Sequence, residues 1–320
     1  MSDSYLIGVD GGGTKTIAVA ARADGTVIGA ERGEGINYNN IGMDRARRNL
    51  KEIIDRLESR IDGHCEGLAV GMPALDMPAD DALTRLFAGN SFDPALLDLQ
   101  SDAYMALVGF TLGKAGMIVI CGTGSILLMM DENGAQHVRG GWGHLLGDPG
   151  SGYALAVDGL KAAIADWENI GPHTSVTRAA EEYFRLLSPR QLIDRVYAEG
   201  QSRAELARFG RLVLEQCALG DGVALGIARK NMSVLAANAA EMIARVPAAN
   251  RVGIYGGVLT NSAVAREIFT DQLKKLCPDA EVSLPEFPPE LGALIHALNR
   301  RSLLSPETLR RMKASYREFL

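Results

Sequence analysis

Short apolar runs alternate with amphipathic stretches along the first third of the chain. Apolar runs at residues 5–9, 16–21 and 27–32 predict a three-stranded meander. Residues 43–60 combine charges with apolar side chains at helical spacing, which predicts an amphipathic helix. Further strands are predicted over residues 67–71 and 96–100, and helices over residues 78–88 and 103–113. This alternation indicates an α/β lobe that covers residues 1–115.

The same pattern starts again after this boundary. An apolar run at residues 117–120 predicts a strand, and residues 151–187 and 203–246 are long and helical. A late strand is predicted over 251–255, followed by helices over 262–276 (capped by Asn261), from Pro288 onward, and over 306–320. We therefore expect a larger second α/β lobe at residues 116–320 that holds the nucleotide site, with a cleft between the lobes. Whether the last helix packs back on the first lobe is left open.

Two glycine-rich loops share one construction. The first has the sequence D-G-G-G-T-K-T at residues 10–16, and the second has C-G-T-G-S at residues 121–125. Each follows an apolar strand and precedes a second apolar run and a glycine turn, with equal spacing from loop threonine to turn glycine. Glycines let backbone N–H groups approach a phosphate closely, and threonine or serine hydroxyls add donors. The repeat predicts two related units that grip a nucleoside triphosphate from both sides.

The commoner phosphate-binding motifs do not fit either loop. A P-loop places its lysine directly after a glycine and opens a helix, whereas here Thr14 separates Gly13 from Lys15 and a strand follows. A Rossmann loop needs the G-x-G-x-x-G register and a following helix, and neither loop has that register. Ordinary glycine hairpins remain the alternative interpretation, which the duplication makes less favourable.

Composition excludes several classes of protein. The chain has 320 residues, 47% hydrophobic and 22% charged, enough for two folded lobes with cores of their own. The net charge of −6 and the dispersed Lys and Arg residues argue against a nucleic-acid partner. The sequence has no apolar run of the roughly 18 residues that span a membrane, and no signal-peptide start. Four separated cysteines and five histidines without ligand spacing favour a cytoplasmic protein without a protein-bound zinc site.

Six motifs together resemble those of the N-acetylglucosamine kinases in the BadF/BadG/BcrA/BcrD-type ATPase family. They are D-G-G-G-T at 10–14, S-D-A at 101–103, C-G-T-G-S at 121–125, G-G-W-G-H-L-L-G-D at 140–148, G-S-G-Y at 150–153 and G-G-V-L-T-N at 256–261. The resemblance runs in order over almost the whole chain, and the block at 140–148 is its most specific part. It implies the actin-like ATPase (ribonuclease H-like) fold, in which two duplicated lobes close over ATP and Mg²⁺.

Two aspartates at the ends of predicted strands are candidates for chemistry. Asp102 begins a helix directly after the strand at 96–100, so by position it is either a general base for an acceptor hydroxyl or a helix cap. The resemblance implies that Asp102 is the catalytic base and contacts the sugar. Asp10 ends the first strand beside the first glycine loop, where a carboxylate would repel a triphosphate unless Mg²⁺ intervenes. A turn-forming role is the alternative for Asp10.

The other candidate residues concern the nucleotide and the sugar. Phosphate contacts are expected from Gly12, Gly13, Thr14, Lys15, Gly122, Thr123 and Gly124. Gly256 and Gly257 suit the approach of the adenosine, or form a simple turn after the strand. The resemblance implies sugar contacts from Asn37, Gly141, Trp142, Gly143 and Asp148, although local sequence alone favours a turn at Asn37 and packing for Trp142. His144 is expected to be structural.

We expect an ATP- and Mg²⁺-dependent kinase that phosphorylates an amino sugar, with N-acetylglucosamine as the acceptor and its 6-hydroxyl as the attacking group. Its partners are then the sugar and ATP, and a homodimer is left open. One alternative is a glucosamine kinase. A second is an ATPase activator carrying an iron–sulfur cluster, which needs clustered, exposed cysteines, whereas Cys65 and Cys121 lie in or beside apolar runs. A third, a sugar sensor without activity, would not need Asp102.

Overall fold

Ten strands form two five-stranded sheets in the part of the chain that a computed structural model describes, residues 4–75, 77–198 and 202–319. The chain divides into two units. The first comprises Met1–Gly116, Met130–Gln136 and Pro285–Leu320, and the second comprises Met117–Met129 and His137–Leu284. The sequence-based division at residues 115 and 116 therefore differs from the structure in two respects: the short segment Met130–Gln136 and the segment that begins at Pro285 both belong to the first unit.

The first unit is built on a sheet with the strand order β3-β2-β1-β4-β5. Antiparallel pairing joins β1, β2 and β3, and parallel pairing joins β1 to β4 and β4 to β5. The strands are β1 (Ser4–Gly11), β2 (Lys15–Ala21), β3 (Val27–Glu34), β4 (His64–Met72) and β5 (Leu97–Ser101). The helices are α1 (Tyr38–Ile41), α2 (Met43–Glu58), α3 (Asp81–Ala88), α4 (Asp102–Thr111), α12 (Pro289–Asn299) and α13 (Pro306–Tyr316).

Alternate residues of the central strand pack against opposite faces of this sheet, as the two-residue period of a strand requires. Ile7 and Val9 join a core that includes the buried face of α2, while Leu6 joins a core with α4, α12 and α13. Gly292 brings α12 close to α4, because a Cβ at this position would lie 2.0 Å from the carbonyl oxygen of Met105. This close packing places the N-terminus of α12, which carries Glu290, near Asp10 at the end of β1.

The second unit repeats the sheet of the first. Its order, β10-β9-β6-β7-β8, gives β6 the central position of β1, and β6, β9 and β10 pair in parallel as β1, β4 and β5 do. The strands are β6 (Gly116–Cys121), β7 (Ser125–Met130), β8 (Gln136–Gly140), β9 (Arg251–Tyr255) and β10 (Glu281–Ser283). The helices are α5 (Gly152–Trp167), α6 (Ser175–Phe184), α7 (Gln191–Val196), α8 (Arg203–Ala218), α9 (Gly222–Arg245), α10 (Gly257–Asn261) and α11 (Ala263–Leu276). The predicted duplication of an α/β unit is confirmed.

The helical stretches of the second unit are more divided than the sequence pattern predicts. The stretch at 151–187 is interrupted after α5, where Gly171 and Pro172 cannot continue a helix well, and Thr174 then caps α6. The stretch at 203–246 breaks at Gly220, which has φ +95°, before Asp221 caps α9. The prediction that Asn261 caps a helix is wrong. Asn261 is the last residue of α10, and Ser262 caps α11 by accepting from the Ala265 backbone N–H at 3.2 Å.

None of the helices within the described residues is long and apolar enough to cross a membrane.

A partly buried ion-pair cluster joins β5 to α12 in the first unit. Asp98 Oδ2 lies 2.9 Å from His296 Nε2, and Asp98 Oδ1 accepts a hydrogen bond from the Gln100 amide at 2.8 Å. Arg300 pairs with the same carboxylate. Burial alone would raise the pKa of Asp98, but the hydrogen bonds and charges of His296, Gln100 and Arg300 outweigh it and hold the pKa well below its ordinary value.

Removing the charge of Asp98 is expected to destabilise the protein. Asp98→Asn should lower the free energy of unfolding by ~2–4 kcal/mol at pH 7, because it leaves His296 and Arg300 without their partner. A carboxylate with a depressed pKa contributes stability above the unfolded-state pKa, so the difference from wild type should shrink as the pH falls below about 4. Urea unfolding followed by circular dichroism at pH 7 and pH 3.5 measures this. The matched control is Asp81→Asn on the exposed face of α3, and an equal loss in both variants would contradict the assignment.

Candidate functional site

The first glycine loop presents backbone donors to solvent. The Gly12 N–H closes a turn by donating to the Lys15 carbonyl at 2.9 Å, and the Gly12 carbonyl accepts from the Ile36 N–H at 3.0 Å. Gly13 and Thr14 follow at the exposed tip, and within the described residues their N–H groups donate to no protein acceptor. Lys15 is exposed beside them. Two unused N–H groups next to a cation are suited to binding an anion.

The second glycine loop repeats this arrangement. The Gly122 N–H again closes the turn, here to the Gly124 carbonyl at 2.9 Å. The next two N–H groups, of Thr123 and Gly124, have no protein acceptor in the described part of the chain. The start of α5 holds the loop, since the Gly152 N–H donates to the Gly122 carbonyl at 2.7 Å. In both loops the N–H of one glycine, Gly12 or Gly122, closes the turn, and the next two N–H groups have no acceptor among the described residues.

Asp10 and Asp102 lie at the carboxyl ends of neighbouring parallel strands in the first unit. Asp10 is paired in register with Gly71 of β4, and Gly71 is paired with Gln100 of β5, just before Asp102. A Cβ on Gly71 would lie 3.3 Å from the Asp102 Cα, so these strand ends are close together. The carboxyl end of a parallel sheet is where ligands of α/β proteins bind.

Asp10 is surrounded by groups that disfavour its charge. Burial, followed by the charges of Glu290 and Asp102, raises the pKa of Asp10 to about 7, while Lys15 acts in the opposite direction. Glu290 is buried near the start of α12, where Tyr316 donates a hydrogen bond to it, and burial together with Glu290 raises the pKa of Tyr316. Three carboxylates with one lysine nearby make the surroundings of Asp10 strongly negative.

Asp102 is not the cap of its helix. Ser101 is the N-cap residue of α4, since its hydroxyl accepts from the Tyr104 N–H at 3.1 Å. Asp102 is the first residue of α4, half-buried, and its Oδ1 accepts from the Ala103 N–H at 2.7 Å. The capping alternative for Asp102 is therefore wrong, and the carboxylate is held in one orientation beside Asp10.

Asn37 lies near the first glycine loop and performs the local role that the sequence favours. Its side-chain oxygen caps the four-residue helix α1 by accepting from the Asn39 N–H at 3.1 Å. Its neighbour Ile36 is hydrogen-bonded to Gly12, and Gly35 is packed against Gly13. The amide nitrogen of Asn37 donates to no acceptor within the described residues, so it is available to a ligand beside this loop.

The segment that carries Trp142 starts at the second glycine loop. The Gly141 N–H donates to the Ser125 carbonyl at 3.0 Å, and Gly143 accepts from both the Leu146 and Gly147 N–H groups in a tight turn. Trp142 is 74% exposed, so its indole is not part of a core. His144 stacks edge-on against Tyr153 at 4.6 Å between ring centroids, in agreement with a structural role.

Asp148 is an under-satisfied buried carboxylate. It is 3% exposed and adopts a left-handed conformation with φ +59°. Its Oδ1 atom has no hydrogen-bond partner within the described residues. A Cβ on Gly124 would lie 2.6 Å from the Asp148 Oδ2, and Arg203 Nη1 lies 3.8 Å from the same oxygen. A buried acceptor without a donor, next to a loop with unused donors, indicates a ligand site.

Gly256 lies against the second glycine loop. It follows β9 directly and has φ +86°, and a Cβ there would lie 2.6 Å from the carbonyl oxygen of Cys121. Only glycine therefore lets the β9–α10 turn approach the second glycine loop this closely. Gly257 is exposed, and a Cβ on it would meet only the Asn261 side chain, at 3.5 Å.

The candidate residues fall into two groups, one on each unit. The first unit brings together Asp10, Asp102 and the loop at 12–15, with Asn37 near that loop. The second brings together the loop at 122–124, the segment at 141–148 and Gly256. Sequence reasoning missed Glu290 and Arg203. Glu290 follows two prolines at a helix start, and Arg203 opens a long amphipathic helix, so neither has a local signal of a site.

Comparison with known proteins identifies the family. The sequence profile of the BadF/BadG/BcrA/BcrD ATPase family matches residues 7–297. The chain belongs to this family. ATP use follows from membership of a family of ATPases, and the two related α/β units are the duplicated lobes of the actin-like ATPase fold.

Members and neighbours cover nearly the whole chain. The N-acetyl-D-glucosamine kinase of Dictyostelium discoideum is 30% identical over 325 residues, covering 94% of this chain and 100% of that protein. The N-acetylmuramic acid/N-acetylglucosamine kinase of Clostridium acetobutylicum is 27% identical and covers 92% of this chain and 98% of its own. A solved structure from Chromobacterium violaceum superposes with a TM-score of 0.72 at 24% identity, over 92% of this chain and 98% of that one. The structural match supports the fold.

Proposed function

We propose that this BadF/BadG/BcrA/BcrD-family protein transfers the γ-phosphoryl group of ATP to the 6-hydroxyl of an amino sugar, with N-acetylglucosamine as the preferred acceptor. The observation that carries the proposal is the placement of Asp102 beside Asp10 at the strand ends of a unit whose glycine loop has unused N–H donors. The relatives named as amino-sugar kinases support it over more than nine-tenths of the chain.

Asp102 is the proposed catalytic base. Its carboxylate accepts the proton of the sugar hydroxyl as the oxygen attacks the γ-phosphorus, the bond from phosphorus to the β–γ bridging oxygen breaks, and ADP leaves. The phosphoryl group goes directly to the sugar, with no phosphoenzyme. Asp102 is suited to this role because its own helix is capped by Ser101 and its orientation is fixed by the Ala103 N–H.

Asp10 is the proposed residue for Mg²⁺. The chemistry of the site fits a cation, since Glu290 and Asp102 disfavour a bare charge on Asp10. Mg²⁺ is commonly bound through one or two carboxylates, with substrate phosphates and water as the other ligands, so Asp10 would need no second protein ligand beside a bound triphosphate. When bound, Mg²⁺ would neutralise the phosphate charge that develops during transfer.

The remaining candidate residues bind the two substrates in this proposal. The N–H groups of Gly13, Thr14, Thr123 and Gly124 contact phosphate oxygens, with Gly12 and Gly122 shaping the turns and Lys15 adding charge. Gly256 and Gly257 border the adenosine. Sugar contacts come from Asn37, Gly141, Trp142, Gly143 and Asp148. We place the reaction in the cytoplasm, where ATP is available and four unpaired cysteine thiols remain reduced.

The preference for an acetylated sugar follows from the charge around Asp148. Glucosamine carries an ammonium group, and removing it from water is costly unless a carboxylate with no other cationic partner lies close to it. Arg203 lies 3.8 Å from the Asp148 carboxylate and already offsets its charge. A neutral acetamido group is therefore favoured, with the exposed indole of Trp142 as an apolar surface for it.

Sugar preference is the direct test. ADP release at saturating Mg-ATP should give a higher kcat/KM for N-acetylglucosamine than for glucosamine or glucose. A higher kcat/KM for glucosamine would overturn the choice of acceptor and leave the kinase assignment standing.

The cysteine thiols do not support an iron–sulfur activator. Cys121 is fully buried, its thiol donates to the Gly150 carbonyl, and burial raises its pKa.

A further inference from the structure

Arg203 opens a helix beside the second glycine loop. A capping box fixes this helix start: the Ser202 hydroxyl accepts from the Glu205 N–H at 3.1 Å, and the Glu205 carboxylate accepts from the Ser202 N–H at 3.2 Å. The guanidinium of Arg203 reaches the loop, since a Cβ on Gly124 would lie 3.6 Å from Arg203 Nη2. Gly124 thus lies against both Arg203 and Asp148.

The donors of Arg203 are not used by the protein within the described residues. The distance of 3.8 Å to Asp148 Oδ2 is too long for a hydrogen bond, and the side chain makes no other polar contact there. A guanidinium has five N–H donors in a planar fork that matches phosphate oxygens. Arg203 is also 42% exposed, so these donors can reach a ligand.

The carboxylate of Asp148 beside the second glycine loop would oppose phosphate binding unless a cation offsets its charge. Asp148 is buried against Gly124, and its Oδ1 has no hydrogen-bond partner in the described part of the chain. An unscreened carboxylate at this position would repel the phosphates that the Thr123 and Gly124 N–H groups are placed to bind. Arg203 lies where it can lower that repulsion and donate to the same phosphate.

We propose that Arg203 binds the phosphate chain of the nucleotide at the second glycine loop. The proposal rests on the use of ATP by this chain and adds a residue to the site. Arg203 has two effects: its charge offsets that of Asp148, and its unused N–H groups donate to a phosphate oxygen next to the donors of Thr123 and Gly124. Asp148 Oδ1 then remains free for the sugar.

Calorimetric titration of wild type and Arg203→Gln with Mg-AMPPNP, and separately with N-acetylglucosamine, tests the proposal. Loss of charge-assisted hydrogen bonds should weaken Mg-AMPPNP binding by about 10- to 100-fold and leave sugar affinity within about 2-fold. Arg203→Lys should recover part of the nucleotide affinity, since it restores the charge without the fork. The matched control is Arg211→Gln on the same helix. Arg211 is exposed and, among the described residues, forms an ion pair with Glu215 alone, so this variant should bind both ligands like wild type.

The outcomes separate this proposal from the proposed function. If wild type binds no Mg-AMPPNP, both fail. If wild type binds it and Arg203→Gln binds equally well, the role of Arg203 fails alone. If Arg203→Gln instead weakens sugar binding to the same extent as Asp148→Asn, and the double variant is no worse than either, Arg203 acts only by holding Asp148 and the phosphate role is overturned.

Discussion

Asp102→Asn is expected to lower turnover by about 10²- to 10⁴-fold, the usual size of a general-base contribution. Asparagine keeps the shape of the side chain and can still accept the Ala103 N–H, so α4 and the strand end should remain in place. It cannot accept the proton of the sugar hydroxyl. Sugar and nucleotide affinities, measured by calorimetry, should stay within a few-fold of wild type while kcat falls.

Ser101→Ala is the control for this variant. It removes the hydroxyl that caps α4 and should cost about 1 kcal/mol of stability with only a small change in kcat. A turnover for Asp102→Asn within a few-fold of wild type would remove Asp102 from the mechanism. A similar loss of kcat in both variants would mean that the start of α4, rather than the carboxylate, is what matters.

Asp10→Asn should abolish most Mg²⁺-dependent turnover and at the same time make the ligand-free protein more stable at neutral to alkaline pH. The pKa of Asp10 is raised to about 7 by burial, Glu290 and Asp102, so the native state disfavours its charge. Asparagine removes that unfavourable charge. We expect a gain on the order of 1–3 kcal/mol at pH 8, less than the full pKa shift would give because Asp10 is only half-buried.

The stability difference between Asp10→Asn and wild type should depend on pH. Between about pH 4 and pH 7 the native protein binds more protons at Asp10 than the unfolded chain does, so wild type loses stability as the pH rises through this window. The advantage of Asp10→Asn should therefore be largest at pH 8 and vanish near pH 4 in Tm measurements without ligands. Asp24→Asn is the opposite control: the Thr26 N–H and Arg311 hold its pKa low, so its loss should destabilise at pH 8. An Asp10→Asn variant less stable than wild type at pH 8 would contradict the account.

Most of the architecture could be predicted from the sequence because its signals are local. Apolar runs located the strands, and the equal spacing of the two glycine loops predicted a duplication that the matching strand orders confirm. The helix cap at residue 262 was not predicted because two local signals competed. Asn261 and Ser262 are both good caps, and only the packing of α10 after Gly256 decides between them.

The site was less accessible to sequence reasoning because it depends on contacts between distant segments. Glu290 lies near enough to Asp10 to act on its charge because Gly292 lets α12 pack closely on α4 and Gly8 lets α12 pack closely on β1. Arg203 reaches Gly124 only because α8 starts beside the second loop. The two glycine loops themselves could be predicted, but the roles of their N–H groups could not. Which N–H groups close the turn and which remain unused is a property of the folded backbone.

Transfer of a phosphoryl group to the sugar can be observed directly by following the γ-phosphate of ATP. Wild-type protein should be incubated with ATP labelled in the γ-phosphate, Mg²⁺ and N-acetylglucosamine, with products separated by chromatography and identified by mass spectrometry. We expect the label in N-acetylglucosamine 6-phosphate in proportion to the ADP formed, and we expect Asp102→Asn to lose this product. Label recovered only as inorganic phosphate, with the sugar unchanged, would instead show an ATPase that does not phosphorylate N-acetylglucosamine.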